Sequence, residues 1–150
     1  MDVIAIVVGV LVVVGLILAV VFAWVRAFGR RHEQALRERF PTAQAILPAN
    51  YFGVESKGVA QVRGNGTLVL TRDELFFERW VPRMELRIPL SAITAVETVR
   101  SHLGKAIARP LLKVSYTNAD GAADSVAWYV ADAASVKQTL EERLPGRDST

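Results

Sequence analysis

Residues 3–25 read VIAIVVGVLVVVGLILAVVFAWV, an unbroken run of aliphatic, aromatic and glycine residues. As an α-helix rising about 1.5 Å per residue, the run is roughly 34 Å long, enough for a hydrocarbon core of about 30 Å with some tilt. A buried helix would need a polar face. A cleaved secretory signal would need a basic start, a shorter apolar core and a small-residue cleavage site. The run has no polar face, is longer than a signal core, and lacks both a basic start and a small-residue cleavage site. The sequence therefore predicts an uncleaved transmembrane anchor over residues 1–28.

The charge beside this run predicts its orientation. Residues 26–40 contain five Arg and two Glu, an excess of +3, whereas residues 41–150 contain thirteen basic and twelve acidic side chains. Positive charge flanking a span stays on the cytoplasmic side. We therefore expect a single-pass protein of the inner or plasma membrane, with the N-terminus outside and the C-terminal domain cytoplasmic. The residues expected at the membrane interface are Trp24, Arg26, Arg30 and Arg31.

Composition and motifs argue against catalysis. The absence of cysteine excludes disulfides, thiolate metal sites and a cysteine nucleophile. The sequence contains no phosphate-binding glycine loop, no HExxH and no nucleophile elbow, and neither His32 nor His102 has a partner at ligand spacing. We expect no enzyme activity, no catalytic residue, no metal and no cofactor. Because the basic excess lies beside the span, it does not indicate nucleic-acid binding.

The C-terminal part of the chain follows a strand pattern. Residues 29–56 are predicted to form a juxtamembrane helix, stopped by Pro41, and an extended linker. Residues 84–88 then alternate cleanly between apolar and charged side chains, which is typical of a half-buried strand. The same period of two predicts seven short strands, over residues 59–63, 66–71, 74–80, 84–90, 93–101, 111–117 and 125–130.

Asn65-Gly66 lies between the first two predicted strands. Asn-Gly between apolar runs is a strong signal for a two-residue hairpin turn. Asn65-Gly66-Thr67 also matches a glycosylation acceptor, which would matter only if the domain were outside in a eukaryotic secretory pathway. We favour the hairpin interpretation.

The period changes from two to about four near the C-terminus. Asp132 is a suitable helix N-cap, and Val136, Leu140 and Leu144 recur on one helical face. Pro145-Gly146 ends this helix, and residues 146–150 are expected to be a loose tail. The predicted fold is therefore a mainly-β domain over residues 57–145, a seven-strand antiparallel barrel or sandwich capped by a C-terminal helix.

Three segments of this domain resemble the pleckstrin-homology and GRAM-like superfamily, especially bacterial PH-like domains tethered by one helix. They are Gly66–Thr71, Leu75-x-Phe77, and Ile88-Pro89-Leu90 followed by Ile93 and Val96. The resemblance implies a PH-like fold and a module that binds lipids, peptides or proteins. Lipid-binding members cluster basic residues in the first hairpin, where this sequence offers only Arg63.

Residues 98–119 form the candidate binding segment, because they are basic and contain no carboxylate. We expect a glycine-containing loop between strands that could receive an anionic headgroup, a phosphorylated partner or an acidic peptide. The alternative is a solvated loop that balances the −3 charge of residues 120–150. The candidate ligand-binding residues are Arg100, His102, Lys105, Arg109 and Lys113.

Two further features suggest protein contacts. Phe76 and Trp80 are expected on the face opposite Leu75 and Phe77, either as an exposed interface or covered by linker residues 46–54. Small residues at four-residue spacing within the span would permit a homodimer; they are Ala5, Gly9, Gly15, Ala19 and Ala23.

The leading functional hypothesis is a membrane-tethered binding module whose surface recognises anionic lipid headgroups or a membrane-associated protein. The alternative is a structural or accessory subunit of a larger membrane assembly.

Overall fold

A computed structural model of the protein describes residues 2–146. It contains a long N-terminal helix, a curled antiparallel sheet of seven strands and a short C-terminal helix. The chain divides into two compact units between Glu38 and Arg39, and each is described by itself.

Helix α1 spans Val3–Arg39, and all of it except Arg39 belongs to the first unit. This helix is long and apolar enough to cross a membrane. At the end of the apolar run, Trp24 stacks on Phe28 with ring centroids 5.8 Å apart, and Phe28 meets His32 edge to face at 4.5 Å. The helix ends two residues before Pro41, because the residue before a proline disfavours helical geometry and proline cannot supply the next backbone donor.

The second unit is built on one sheet with the strand order β4-β3-β2-β1-β7-β6-β5, in which every neighbouring pair is antiparallel. The sheet curls into a half-barrel that stays open between β4 and β5. Helix α2 spans Ala133–Glu141. The strands are β1 Ala45–Val54, β2 Gly64–Leu70, β3 Glu74–Arg79, β4 Met84–Pro89, β5 Ile93–His102, β6 Lys105–Thr117 and β7 Ala123–Tyr129.

The core fills the concave face of this sheet. Phe77 lies at its centre, stacked on Tyr51 with centroids 5.6 Å apart and tilted against Trp128 at 5.7 Å. Helix α2 begins at its predicted cap, where the Asp132 carboxylate accepts a hydrogen bond from the Ser135 N–H at 3.0 Å, and it buries Leu140 completely. The fold prediction is confirmed as an apolar N-terminal helix, a curled seven-strand antiparallel sheet and a C-terminal helix.

Two parts of the strand prediction were wrong. One predicted strand is absent and one observed strand was not predicted, so the total of seven strands is unchanged. Residues 59–63 were predicted as a strand and form none. Residues 45–54, predicted as part of the linker, form β1, which pairs with β2 on one side and β7 on the other. Pro48 concealed this strand, since proline normally marks edges or irregular segments rather than a central strand.

The prediction of a hairpin turn at Asn65-Gly66 was also wrong. Both residues lie inside β2, where Asn65 faces Asn50 and Gly66 faces Ala49 of β1. Gly66 serves packing instead of a turn: a Cβ placed there would lie 2.2 Å from the Glu78 carbonyl oxygen and 2.6 Å from the Phe77 ring. A glycine inside a strand often marks such a close approach. Of the predicted loose tail, residues 147–150 lie outside the described residues.

Candidate functional site

The predicted basic loop is a folded β-hairpin. We call residues 100–110 the arm. Val99 pairs with Leu111, but Ser101 already pairs with Ala106, so Arg100 alone faces the four residues 107–110. This bulge bends the hairpin away from the ladder. The arm closes at Leu103-Gly104, where both residues have positive φ, 51° and 69°, as in a two-residue hairpin turn.

Three predicted ligand residues hold the arm in place. The His102 Nε2 lies 2.9 Å from the Gly53 carbonyl oxygen, the Lys105 Nζ donates to the Gln61 carbonyl at 2.9 Å, and the Arg109 guanidinium donates to the Tyr129 hydroxyl at 2.8 Å. A small apolar cluster, separate from the main core, packs with the arm. It consists of Phe52, Leu111 and Ala127, with Val99, Ile107 and Tyr129 partly buried around them.

The other two predicted residues differ in exposure. Arg100 is exposed, and Lys113 is half-buried on β6, opposite Glu97. The predicted loop between the fifth and sixth strands is therefore corrected: residues 102–110 belong mostly to β5 and β6, and His102, Lys105 and Arg109 make structural contacts. Their spacing along the chain could not reveal this, because all three contact partners lie on β1, on the segment between β1 and β2, or on β7.

His102 is buried, and burial lowers the pKa of its imidazole. The positive charges of Lys113 and Lys105 lower this pKa further, against the opposing effects of the Gly53 hydrogen bond and Glu55. The ring is thus neutral at physiological pH, and its Nε2–H donates to the Gly53 carbonyl. A neutral, buried imidazole is suited to holding the arm rather than to binding an anion.

The predicted aromatic interface is divided between two environments. Phe76 is fully buried beneath Phe40, whose ring centroid lies 4.8 Å away, and beneath the guanidinium groups of Arg39 and Arg87 at 5.1 and 4.8 Å. Residues 39–40, rather than the linker residues 46–54, cover this side chain. Trp80 is half-buried, and its indole N–H donates to the Thr67 hydroxyl at 3.1 Å.

A different surface, which the sequence did not suggest, exposes apolar side chains. We call residues 57–63 and 80–83 the tip. Val59, Val62 and Val81 are 66%, 60% and 69% exposed, and within residues 2–146 they are the exposed large hydrophobic residues outside α1. Scattered exposed hydrophobics are ordinary, but three on two adjoining loops form a patch.

Hydrogen bonds hold the tip in a defined shape. The Gln61 side-chain oxygen accepts from the Tyr51 hydroxyl at 2.7 Å and from the Val54 N–H at 2.9 Å, while its amide donates to the Val54 carbonyl at 2.6 Å. Arg79 joins the two loops by donating to the carbonyls of Val62 at 2.7 Å and Pro82 at 2.9 Å. The valines are therefore presented by ordered loops.

The tip is also basic. It contains Lys57, Arg63 and Arg83 and no carboxylate. Arg63 lies over the Phe52 ring at 4.1 Å. Arg83 donates to Glu78 at 3.1 Å and to Glu85 at 3.3 Å, and its side chain stays 68% exposed. Lys105 of the arm adjoins the tip through Gln61. The signal available in the sequence was two valines between Lys57 and Arg63 without an acid, which we interpreted as a strand.

Comparison with known proteins gives a fold relationship only. No family model and no curated protein matches the chain. Among solved structures, the C-terminal domain of an unknown protein from Leishmania infantum is similar, with a TM-score of 0.53 and 14% identity over 75% of this chain and 96% of that one. At this identity the likeness shows a shared fold.

Proposed function

We propose that the protein is a membrane-tethered, PH-like binding module whose tip binds the anionic surface of a bilayer. The observation that carries this proposal is the tip itself, where three exposed valines stand beside Lys57, Arg63 and Arg83 without an acidic residue in the same loops. Apolar side chains that enter the interface, combined with basic side chains that meet anionic headgroups, are the two contributions that hold a protein on a membrane surface.

The anchor and its orientation support the same proposal. Helix α1 has the length and apolarity of a span. The arginine excess that follows it favours a cytoplasmic domain, on the side where anionic lipids are concentrated. The PH-like assignment is supported by the strand order of the half-barrel and by the C-terminal helix on its core.

The expected strength is modest. Full burial of a valine contributes about 1.5 kcal/mol, and each basic side chain near an anionic surface contributes about 1 kcal/mol. Partial burial at the tip therefore gives roughly 5 kcal/mol in total, which corresponds to a Kd of about 0.2 mM for a free domain. A tether raises the effective concentration of the membrane to the millimolar range, so a weak site suffices.

A single introduced cysteine tests the proposal directly, because the chain has none of its own. The full-length Val59→Cys protein, labelled with an environment-sensitive fluorophore, would be reconstituted into vesicles of neutral lipid or of neutral lipid with phosphatidylserine. We expect blue-shifted, brighter emission only with phosphatidylserine. The same label at Glu142→Cys, an exposed position immediately after α2, is the matched control and should report water in both lipids.

A charge variant completes the test. Replacing Lys57, Arg63 and Arg83 with Gln should abolish the difference between the two lipids at Val59→Cys. Emission that is identical in the two lipids before this replacement would contradict the proposal.

The alternative, a subunit of a larger membrane assembly, has less support. It relied on an aromatic face around Phe76, and this side chain is buried by Phe40, Arg39 and Arg87 of the same unit. Purification of a stoichiometric integral membrane partner after crosslinking in native membranes would favour it over the tip proposal.

A further inference from the structure

A groove of about 440 Å³ lies on the sheet where β1 is flanked by β2 and β7. Two aromatic side chains, Trp80 and Tyr129, line it together with Pro48 and the carboxamides of Asn50 and Asn65. Among the described residues that line the groove, none is charged. The groove shares Trp80 with the tip, and it differs from the rest of the tip because its lining side chains are uncharged.

Both aromatic side chains are held in place by hydrogen bonds with other side chains of the domain. The indole N–H of Trp80 donates to the Thr67 hydroxyl at 3.1 Å. The Tyr129 hydroxyl accepts from Arg109 at 2.8 Å, which leaves its own proton to be donated elsewhere. Ring positions fixed before binding lose little conformational entropy when a ligand arrives.

The carboxamide pair adds one more donor. The Asn50 Nδ2 donates to the Asn65 Oδ1 at 2.7 Å. This bond leaves the Asn65 amide N–H groups and the Asn50 carbonyl oxygen without a partner among residues 2–146. If the two amides were flipped together, the pair would still offer one amide donor group and one acceptor.

The position of the groove restricts how a peptide can bind there. Strand β1 is already paired on both sides, so a peptide cannot add to it as another strand. The side chains lining the groove offer the Tyr129 hydroxyl and the Asn65 amide as donors but only the Asn50 carbonyl oxygen as a free side-chain acceptor, so they suit a ligand that presents carbonyl groups. Proline lacks the N–H, and its carbonyl needs only a donor.

We propose that this groove binds a proline-rich segment in the polyproline II conformation. Its pyrrolidine rings would pack against Trp80 and Tyr129, and its carbonyl oxygens would accept hydrogen bonds from the Tyr129 hydroxyl and the Asn65 amide. Aromatic-lined grooves recognise this conformation because it forms without internal hydrogen bonds and loses little entropy on binding. The groove shares Trp80 with the tip, but the inference does not rest on membrane binding by the tip.

Fluorescence anisotropy with a labelled octaproline peptide tests the inference on the full-length protein in detergent. We expect saturable binding by the wild type and none of an octaalanine peptide of the same length. Tyr129→Phe keeps the ring and removes the hydroxyl, and it should weaken binding about threefold to tenfold. Trp80→Leu removes a wall of the groove and should weaken it by tenfold or more.

Lys57→Gln, at the tip, is the matched control and should leave octaproline binding unchanged. Thermal melting of each variant checks that the domain is folded, and Tyr129→Phe keeps the test valid if Trp80→Leu unfolds. Equal affinity for octaalanine, no saturation by octaproline, or unchanged affinity in folded Tyr129→Phe and Trp80→Leu would overturn the inference. None of these results depends on vesicle binding by the tip.

Discussion

At Gly66 the backbone of β2 approaches β3 too closely for any side chain. The nearest obstacle to a Cβ is the Glu78 carbonyl, which belongs to a paired strand and cannot move independently. Other residues of this protein also make their specific contacts with partners that are distant along the chain. His102 meets Gly53, and Gln61 meets Tyr51.

Gly66→Ala should therefore lower the free energy of unfolding by about 2 kcal/mol or more, in the range of overpacked sites. Urea denaturation of the detergent-solubilised protein measures the effect. Gly64→Ala, in the same strand, is the comparison: its Cβ would meet the methylenes of the Arg79 side chain, and the nearest backbone atom would be the Val81 carbonyl oxygen at 3.3 Å, so the loss should be smaller. Equal losses would contradict the packing argument.

His102 should make stability depend on pH. Because burial lowers the pKa of its folded form below the ordinary value of 6.5, the unfolded chain binds the proton more readily. Its contribution to stability is full above pH 6.5 and decreases as the pH falls through the folded pKa, with a slope of at most about 1.4 kcal/mol per pH unit.

Urea midpoints measured between pH 7.5 and 5 should fall for the wild type and much less for His102→Gln, which can still donate to Gly53 but does not titrate. Asp124 does not interfere in this range. Burial alone would raise its pKa, but hydrogen bonds from Ser56 and Ser125 outweigh this effect and hold the pKa below its usual value. Parallel profiles for the two proteins would exclude His102 as the cause.

At the scale of elements, local signals explain the helices and the simpler strands. Helix α2 starts at its Asp132 cap and buries its apolar face, and β4 follows its alternation. The segment between β1 and β2 was not explained by local signals. It forms no strand, and hydrogen bonds of the Gln61 side chain with Tyr51 and Val54 hold it in place.

Leu140→Ala in α2 should lower the free energy of unfolding by about 2 to 5 kcal/mol, as expected for truncation of a fully buried leucine. Thermal unfolding followed by tryptophan fluorescence gives the comparison. Glu142→Ala, exposed at the end of the same helix, should change the midpoint little. A small effect of Leu140→Ala would mean that α2 is dispensable for the core.

Gln61→Ala should loosen the tip without unfolding the sheet. It removes the partners of the Tyr51 hydroxyl, the Val54 N–H and the Val54 carbonyl, each costing about 1 to 3 kcal/mol if left unsatisfied. Hydrogen exchange should accelerate at residues 54–63 and remain slow in β6 and β7. Gln138→Ala, whose amide donates only to Glu142 on exposed α2, is the control and should leave the tip unchanged.

At the scale of the whole molecule, the protein combines a helix that water solvates poorly with a folded domain that water solvates well. The arginines between them favour the cytoplasm. This arrangement predicts that the N-terminus and the C-terminal domain lie on opposite sides of the membrane.

Single-cysteine variants test the orientation in intact cells with a membrane-impermeant maleimide. Asp2→Cys should react from outside, whereas Asp120→Cys, in the exposed turn between β6 and β7, should react only after permeabilisation. The reverse pattern would place the domain outside. It would also make Asn65 relevant as a glycosylation acceptor in a eukaryotic host.

Features with a local cause could be predicted from the sequence: the apolar run of α1, the helix end near Pro41, the cap and apolar face of α2, and the alternation of β4. The remaining features depend on contacts between distant parts of the chain. Strand β1 became central through pairing with β2 and β7, and Gly66 packs in a strand rather than turning the chain.

The candidate surfaces depend on the same long-range contacts. The arm lies across the apolar cluster around Phe52, and the tip and the Trp80–Tyr129 groove join residues from separate strands and loops. Periodicity and capping act over a few residues, so a sequence displays them directly. Strand partners and surface neighbours are set by a free energy summed over the whole folded domain, and no short stretch of sequence contains it.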